Sequence, residues 1–153
     1  MKTDDPRLEE SRKKMVERVE KMNALTIAVL RSHLLAEQCM NDFILASGVK
    51  RKWLKKATFD EKLQKCKAIA VQEKDDPLWG VLKSANMLRN TIAHTLDANK
   101  IELRMKELKD TYLAALTPQQ AQGLAEQPDD YVAQSACVLC AGFVVSLEVR
   151  GGA

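Results

Sequence analysis

The sequence lacks the features that mark membrane, secreted and fibrous proteins. None of its apolar runs approaches the roughly 20 residues that a bilayer-spanning helix needs. Residues 1–21 are dense in charge of both signs and lack the apolar stretch of a signal peptide. No internal repeat or low-complexity stretch occurs, and no segment alternates at the period of two typical of strands. We therefore expect a cytoplasmic protein without membrane contact, with residues 1–153 in one domain.

The chain is also poor in metal ligands, with two histidines and four cysteines. Cys137 and Cys140 have the spacing of a zinc or redox motif, but zinc usually takes four ligands. Cys39 and Cys66 are isolated from them, each on its own predicted helix. We therefore expect four reduced thiols, with Cys137 and Cys140 buried among apolar neighbours, and neither a metal nor a cofactor.

What the sequence does contain is helical patterning. Apolar residues recur at a spacing of three and four, and three of the four prolines follow an Asp or Thr suited to cap a helix N-terminus. The pattern predicts an all-α bundle of five to six helices, with a charged N-terminal helix and a frayed tail at 150–153. The predicted helices are 6–22, 24–47, 58–73, 77–97, 100–116 and 130–149, with a short helical turn near 118–126.

Positive charge is concentrated in one stretch. The net charge is +3, but residues 50–67 hold eight basic and two acidic side chains. Such a stretch can bind a polyanion, or it can be a solvated surface that keeps the protein soluble. Trp53 in its centre can stack on a base or anchor a loop to the body. The candidate RNA-binding residues are Lys50, Arg51, Lys52, Lys55 and Lys56, together with Lys83 farther along the chain.

The most informative motif is the hexad Arg89-Asn90-Thr91-Ile92-Ala93-His94. It combines a permanent cation, an amide and a group that titrates near neutrality, which are the groups needed to act on a phosphodiester. Asn90 and His94 are one helical turn apart and share a face. Arg89 is about 140° around the helix from His94. A long guanidinium could reach round, or a second subunit could complete the site across a symmetric interface.

This segment resembles the Arg-x(4–6)-His signature of the HEPN superfamily, in which Asn is common directly after the Arg. The all-helical character, an early long helix containing residues 34–37 and Trp79 leading into the hexad agree with it. The resemblance implies a HEPN-like bundle and a metal-independent endoribonuclease, often a toxin or defence effector, with its active site at a homodimer interface. It implies His94 as the base, Arg89 as the phosphate ligand and Asn90 as the orienting residue, with RNA as the substrate.

One position departs from the family. HEPN toxins that are silenced by a partner nucleotidyltransferase usually carry a tyrosine two residues after the histidine, and here that residue is Leu96. Tyrosine adenylylation is therefore not expected, whereas an antitoxin or regulatory protein of another kind remains a possible partner. The superfamily also contains non-catalytic members of the mannitol operon repressor type.

Non-catalytic explanations exist for each candidate residue. The hexad could be a salt-bridged helix end, with His94 paired to Asp97 and Arg89 paired to Glu37. His33 lies one turn before Glu37, and that pair could support the site or form a buried hydrogen bond. We therefore assign His33, Glu37 and Asp97 as candidate supporting residues around the catalytic three.

Overall fold

The computed structural model describes residues 5–151 of the chain. Within them the all-α class is confirmed, with seven α-helices, one 3-10 turn and no strand. The elements are α1 (Pro6–Ala46), α2 (Arg51–Lys56), α3 (Phe59–Ile69), the 3-10 turn (Val71–Glu73), α4 (Pro77–His94), α5 (Ala98–Ala114), α6 (Pro118–Ala125) and α7 (Asp129–Gly151).

Helix α1 is a single helix of 41 residues where two were predicted. The Asp5 side chain accepts a hydrogen bond from the Arg7 amide at 2.9 Å and caps its start. The helix ends before Gly48, whose φ of 98° is a conformation that glycine adopts without strain. No proline or glycine lies between these ends, so the predicted break near Asn23 has no residue to cause it.

Two further differences raise the helix count from the predicted five or six to seven. The stretch predicted as a connection between residues 47 and 58 contains α2, and the predicted short turn near 118–126 is the eight-residue α6. Helix α7 continues through Gly151, and the rest of the predicted tail, residues 152–153, lies outside the described residues, as do residues 1–4.

The C-terminal half of α1 packs against α7, α4 and α3 around one apolar core. Helices α1 and α7 run in the same direction, since Ser32 lies beside Cys137 and the later residue Cys39 lies near the later residue Glu148. Helix α4 runs the opposite way. Its first turn lies near the C-terminal part of α7, and its later residue Asn86 contacts His33 of α1. His94 follows Asn86 by eight residues and so lies about 12 Å farther along the axis of α4.

Helix α7 is long and apolar enough to cross a membrane by length and composition alone. Nearly half of its apolar window is buried inside the bundle, where the small residues Ala133, Ala136 and Ala141 let it approach its neighbours closely. The buried core helix of a bundle passes the same test of length and composition.

The first part of α1 projects beyond the bundle. Every residue from 5 to 21 is exposed, and the first buried side chain of the helix is Leu25. We call residues 6–21 the α1 arm. Four large apolar side chains on it are 46–59% exposed, namely Leu8, Met15, Val16 and Val19.

Candidate functional site

Helix α4 places the hexad at its C-terminal end. The Asp76 side chain caps the start of α4 by accepting from the Leu78 amide at 2.9 Å, with Pro77 in the first turn. The buried Trp79 fixes this end further, because its indole Nε1 donates to the Glu73 carbonyl at 2.7 Å. The helix ends at His94, and Thr95 already has extended backbone. The hexad therefore occupies the last turns of a rigid, core-packed helix.

The three predicted catalytic side chains have different environments. Asn90 and His94 are exposed, whereas Arg89 is half-buried. The Arg89 Nη1 lies 3.4 Å from Asn90 Oδ1, a long contact between neighbours in the sequence. No hydrogen bond joins Arg89 to His94 within residues 5–151, and at 100° per residue their side chains leave the helix on different faces. Within one chain, the Arg89 side chain therefore contacts Asn90 but not His94.

Arg89 is electrostatically coupled to the other histidine. His33 is 5% exposed, its Nε2 lies 3.0 Å from Asn86 Oδ1, and its ring stacks on Phe59 at 4.2 Å between centroids. An amide oxygen only accepts, so this contact places the ring proton on Nε2. Burial lowers the pKa of His33; the hydrogen bond to Asn86 and the charge of Glu37 oppose this shift, and the Arg89 charge adds to it. His33 is therefore neutral at pH 7.

The predicted pairing of His33 with Glu37 is replaced by another contact. Glu37 Oε1 accepts from Lys62 Nζ of α3 at 2.9 Å, and the Lys62 side chain is only 8% exposed. This ion pair ties α3 to α1 within one turn of His33. It also occupies the carboxylate that the salt-bridged explanation assigned to Arg89, whose guanidinium forms no ion pair within the described residues.

Asp97 is also engaged elsewhere. Its carboxylate accepts from the backbone amides of Asn99 at 3.0 Å and Lys100 at 3.4 Å, and so caps the start of α5. No ion pair between Asp97 and His94 forms in the part of the chain that the structure describes. The geometry gives Asp97 a role in holding the turn between α4 and α5, directly after the hexad.

The basic residues of α2 lie apart from the hexad on the same chain. Helix α2 connects the end of α1 to Phe59, which lies beside His33. Within residues 5–151 α2 makes no extensive contact with α4. Lys83 is exposed on α4, three turns before His94. Trp53 is half-buried, and the Lys65 ammonium lies 5.0 Å from its ring centroid, which favours the anchoring role.

Two residues around the hexad were not predicted as site residues. Asn86, Asn90 and His94 recur every four residues, so they form one polar line along α4 that begins at the buried His33. The spacing of four was visible in the sequence and could have identified Asn86. Lys62 could also have been found, because it lies on the apolar stripe of α3, three residues after Phe59 and four before Cys66.

The cysteines are separate from this site. Burial raises the pKa of Cys66 to about 12 and that of Cys137 to about 11, and it raises that of Cys140 further. Cys137 faces Ser32 of α1, whereas the Cys140 thiol points at the Leu78 carbonyl, 3.6 Å away. Within residues 5–151 no group of three or more His, Cys, Asp or Glu side chains is placed to hold a metal ion.

Comparison with models of known protein families, with curated proteins and with solved structures finds no match to this chain. The likeness to the HEPN superfamily thus depends on the hexad and its surroundings alone.

Proposed function

We propose that the protein is a cytoplasmic, metal-independent endoribonuclease of the HEPN type, toxin-like or phage-defence-like. The observation that supports the proposal is that the charged and titratable side chains of the hexad have no acidic partner within the described residues. His94 is exposed and Arg89 has no carboxylate partner within the described residues, because Glu37 binds Lys62 and Asp97 caps α5. The pairs that a purely structural role would use are therefore absent from this region. An accessible imidazole and an unneutralised guanidinium are the groups that a phosphodiester requires.

The reaction follows from these groups. The His94 imidazole takes the proton of a ribose 2′-hydroxyl, and the 2′ oxygen attacks the adjacent phosphorus. The bond from phosphorus to the 5′ oxygen breaks, and the leaving oxygen takes a proton from solvent. Arg89 stabilises the charge on the phosphate oxygens, and Asn90 orients the phosphate. The products carry a 2′,3′-cyclic phosphate and a 5′-hydroxyl.

The separation of Arg89 and His94 around α4 adds a requirement. Because the two groups leave the helix about 140° apart, we propose that the active form is a homodimer in which a second copy completes the site. The basic residues of α2 would hold RNA beyond the scissile phosphate. An antitoxin or regulatory protein would act by covering the same α4 surface.

The direct test is incubation of the purified protein with RNA in EDTA, followed by mass spectrometry of the product ends. We expect cyclic phosphate ends from the native protein and a rate lower by about 100-fold or more for His94→Ala and Arg89→Ala. Lys100→Ala, an exposed change on α5, is the matched control. Equal cleavage by His94→Ala, or 3′-hydroxyl ends, would rule the proposal out.

A second candidate is a non-catalytic module of the mannitol operon repressor type that binds a protein or nucleotide. It is favoured by the exposed apolar side chains of α1, which include Ile27, Leu30 and Leu34 at 41–54% exposure, with Ile27 in a groove between α1 and α7. It predicts that no RNA is cleaved, and that growth arrest on expression, if any, survives His94→Ala.

A further inference from the structure

A groove follows the outer surface of the bundle where α1 and α7 lie side by side. Its volume is about 450 Å³, and the residues that line it within the described chain belong to these two helices. Ile27 and Leu35 of α1 and Val138 of α7 each contribute an apolar side chain that is 42–52% exposed. One turn beyond Leu35, the partly exposed Cys39 lies on the same side of α1. Several exposed apolar residues in one concavity are typical of a binding surface.

Helix α7 extends this apolar surface along the bundle. Residues 131–147 contain no charged side chain. Tyr131, Val138 and Val145 follow each other at spacings of seven and are 44–54% exposed. The surface is open at Gly142, between the last two. The outer surface of α7 therefore has the pattern of a helix that packs against a further helix.

Charged residues border the groove at both ends. Arg31 and Asp130 line it near the start of α7. At the other end Asp42 of α1 and Glu148 of α7 lie close to the Cys39 thiol, whose pKa is raised by partial burial and by both of these charges. None of the four charged side chains takes part in an ion pair within residues 5–151. Three carboxylates against one guanidinium give the border a net negative charge.

We propose that this groove is the docking site for a helix of another protein, one whose apolar stripe is bordered by basic residues. The apolar side chains of that helix pack between Ile27, Leu35 and Val138, and its basic residues face Asp42 and Glu148. From Ile27 to Asp42 the groove is about 22 Å long, which accommodates about four turns of helix. The negative border selects a basic partner and disfavours nucleic acid and anionic lipid headgroups.

This docking goes beyond the proposed cleavage of RNA and does not depend on it. The hexad lies on α4, whereas the groove is lined by α1 and α7. The two surfaces share no residue, so each can be tested by substitutions that leave the other intact.

Fluorescence anisotropy of labelled peptides mixed with the full chain tests the docking. The basic probe is a peptide of about 15 residues of leucine and lysine, with the leucines at spacings of three and four. The acidic probe carries glutamate at each lysine position. We expect the basic probe to bind with a micromolar dissociation constant and the acidic probe to bind at least about 10-fold more weakly.

A charge in the groove should block the probe. Val138→Lys places a positive charge among the apolar residues and should weaken binding of the basic probe at least about 10-fold. Leu103→Lys makes the same change at an exposed apolar residue of α5 and should bind like the native chain. Circular dichroism checks that each variant is folded.

The border charges should act in opposite directions. Asp42→Asn/Glu148→Gln removes two negative charges and should weaken binding of the basic probe at least about 5-fold. Arg31→Gln removes the positive charge of the groove and should strengthen it. Equal affinity of the native chain for both probes, binding of neither, or a Val138→Lys variant that binds like Leu103→Lys would overturn the proposal.

Sedimentation equilibrium and pelleting with phosphatidylcholine vesicles test the other occupants. A native dimer that Val138→Lys converts into a monomer would assign the groove to a second copy. Pelleting that Val138→Lys abolishes would assign it to a lipid surface, and either result overturns the proposal. RNA left intact in the EDTA assay by a chain that still binds the basic probe would refute the nuclease and support the docking.

Discussion

His33 Nε2 and Asn86 Oδ1 join α1 to α4 across 3.0 Å, two helical turns before His94. The contact lies at the inner end of a polar line on α4, since Asn86, Asn90 and His94 follow each other at one-turn intervals on one face of the helix. One imidazole is buried and neutral, and the other is exposed. The polar surface of α4 is thus anchored at its inner end by α1 and open at its outer end.

His33 should titrate below the ordinary histidine value of about 6.5, because burial and the Arg89 charge disfavour its protonated form. Between the lowered pKa and pH 6.5 the unfolded chain binds a proton that the folded chain does not, so the free energy of unfolding should fall as the pH drops below about 6.5. With two histidines in the chain, imidazole resonances in an NMR titration measure this directly, and His94→Gln assigns them. A midpoint for His33 at or above 6.5 would contradict the burial argument.

The buried ion pair between Glu37 and Lys62 predicts an asymmetric mutational response. Glu37→Ala leaves the ammonium of Lys62 buried without its partner and should lower the free energy of unfolding by about 2 kcal/mol, less than for a fully buried pair because Glu37 is partly exposed. The double variant Glu37→Ala/Lys62→Met removes both charges and should recover at least half of this loss. Urea denaturation measures both values. A double variant less stable than Glu37→Ala alone would show that the unpaired ammonium of Lys62 is not the cause of the loss.

The helix ends could be predicted where a capping side chain or a proline in the sequence marks them. The starts of α4 and α6 were predicted because Asp76-Pro77 and Thr117-Pro118 combine a capping side chain with a proline. The continuity of α1 through Asn23 was not predicted. The helix propensity of the residues there is neutral, and neither a proline nor a glycine ends the helix. In the site, the positions of Asn90 and His94 on one face followed from periodicity. The partner of Glu37 did not, because it depends on how α3 packs against α1, whereas the capping role of Asp97 is a local signal that the prediction of one helix through residue 97 missed.

The thiols should differ sharply in reactivity. Burial raises the pKa values of Cys66, Cys137 and Cys140, and a thiol without thiolate character is unreactive. Cys39 is partly exposed, and its pKa is raised by partial burial and by the charges of Asp42 and Glu148. We expect slow modification of one cysteine by a disulfide reagent at pH 8 in the folded protein and rapid modification of four in denaturant. Cys39→Ser should abolish the folded-state reaction. Rapid reaction of Cys137 or Cys140 would revive the redox interpretation of their spacing.

Substitutions of Asp97, next to the hexad, distinguish a structural role of this carboxylate from a catalytic one. Its carboxylate caps α5, so Asp97→Ala should lower the free energy of unfolding by about 1 kcal/mol, whereas Asp97→Ser, which keeps a capping oxygen, should lose much less. If His94 acts without a carboxylate partner, both variants should cleave RNA at the native rate under conditions where they are fully folded. Urea denaturation and the EDTA cleavage assay measure the two effects on the same preparations. Cleavage that falls equally in Asp97→Ala and Asp97→Ser, out of proportion to the loss of stability, would show that the negative charge of Asp97 acts on His94 after all.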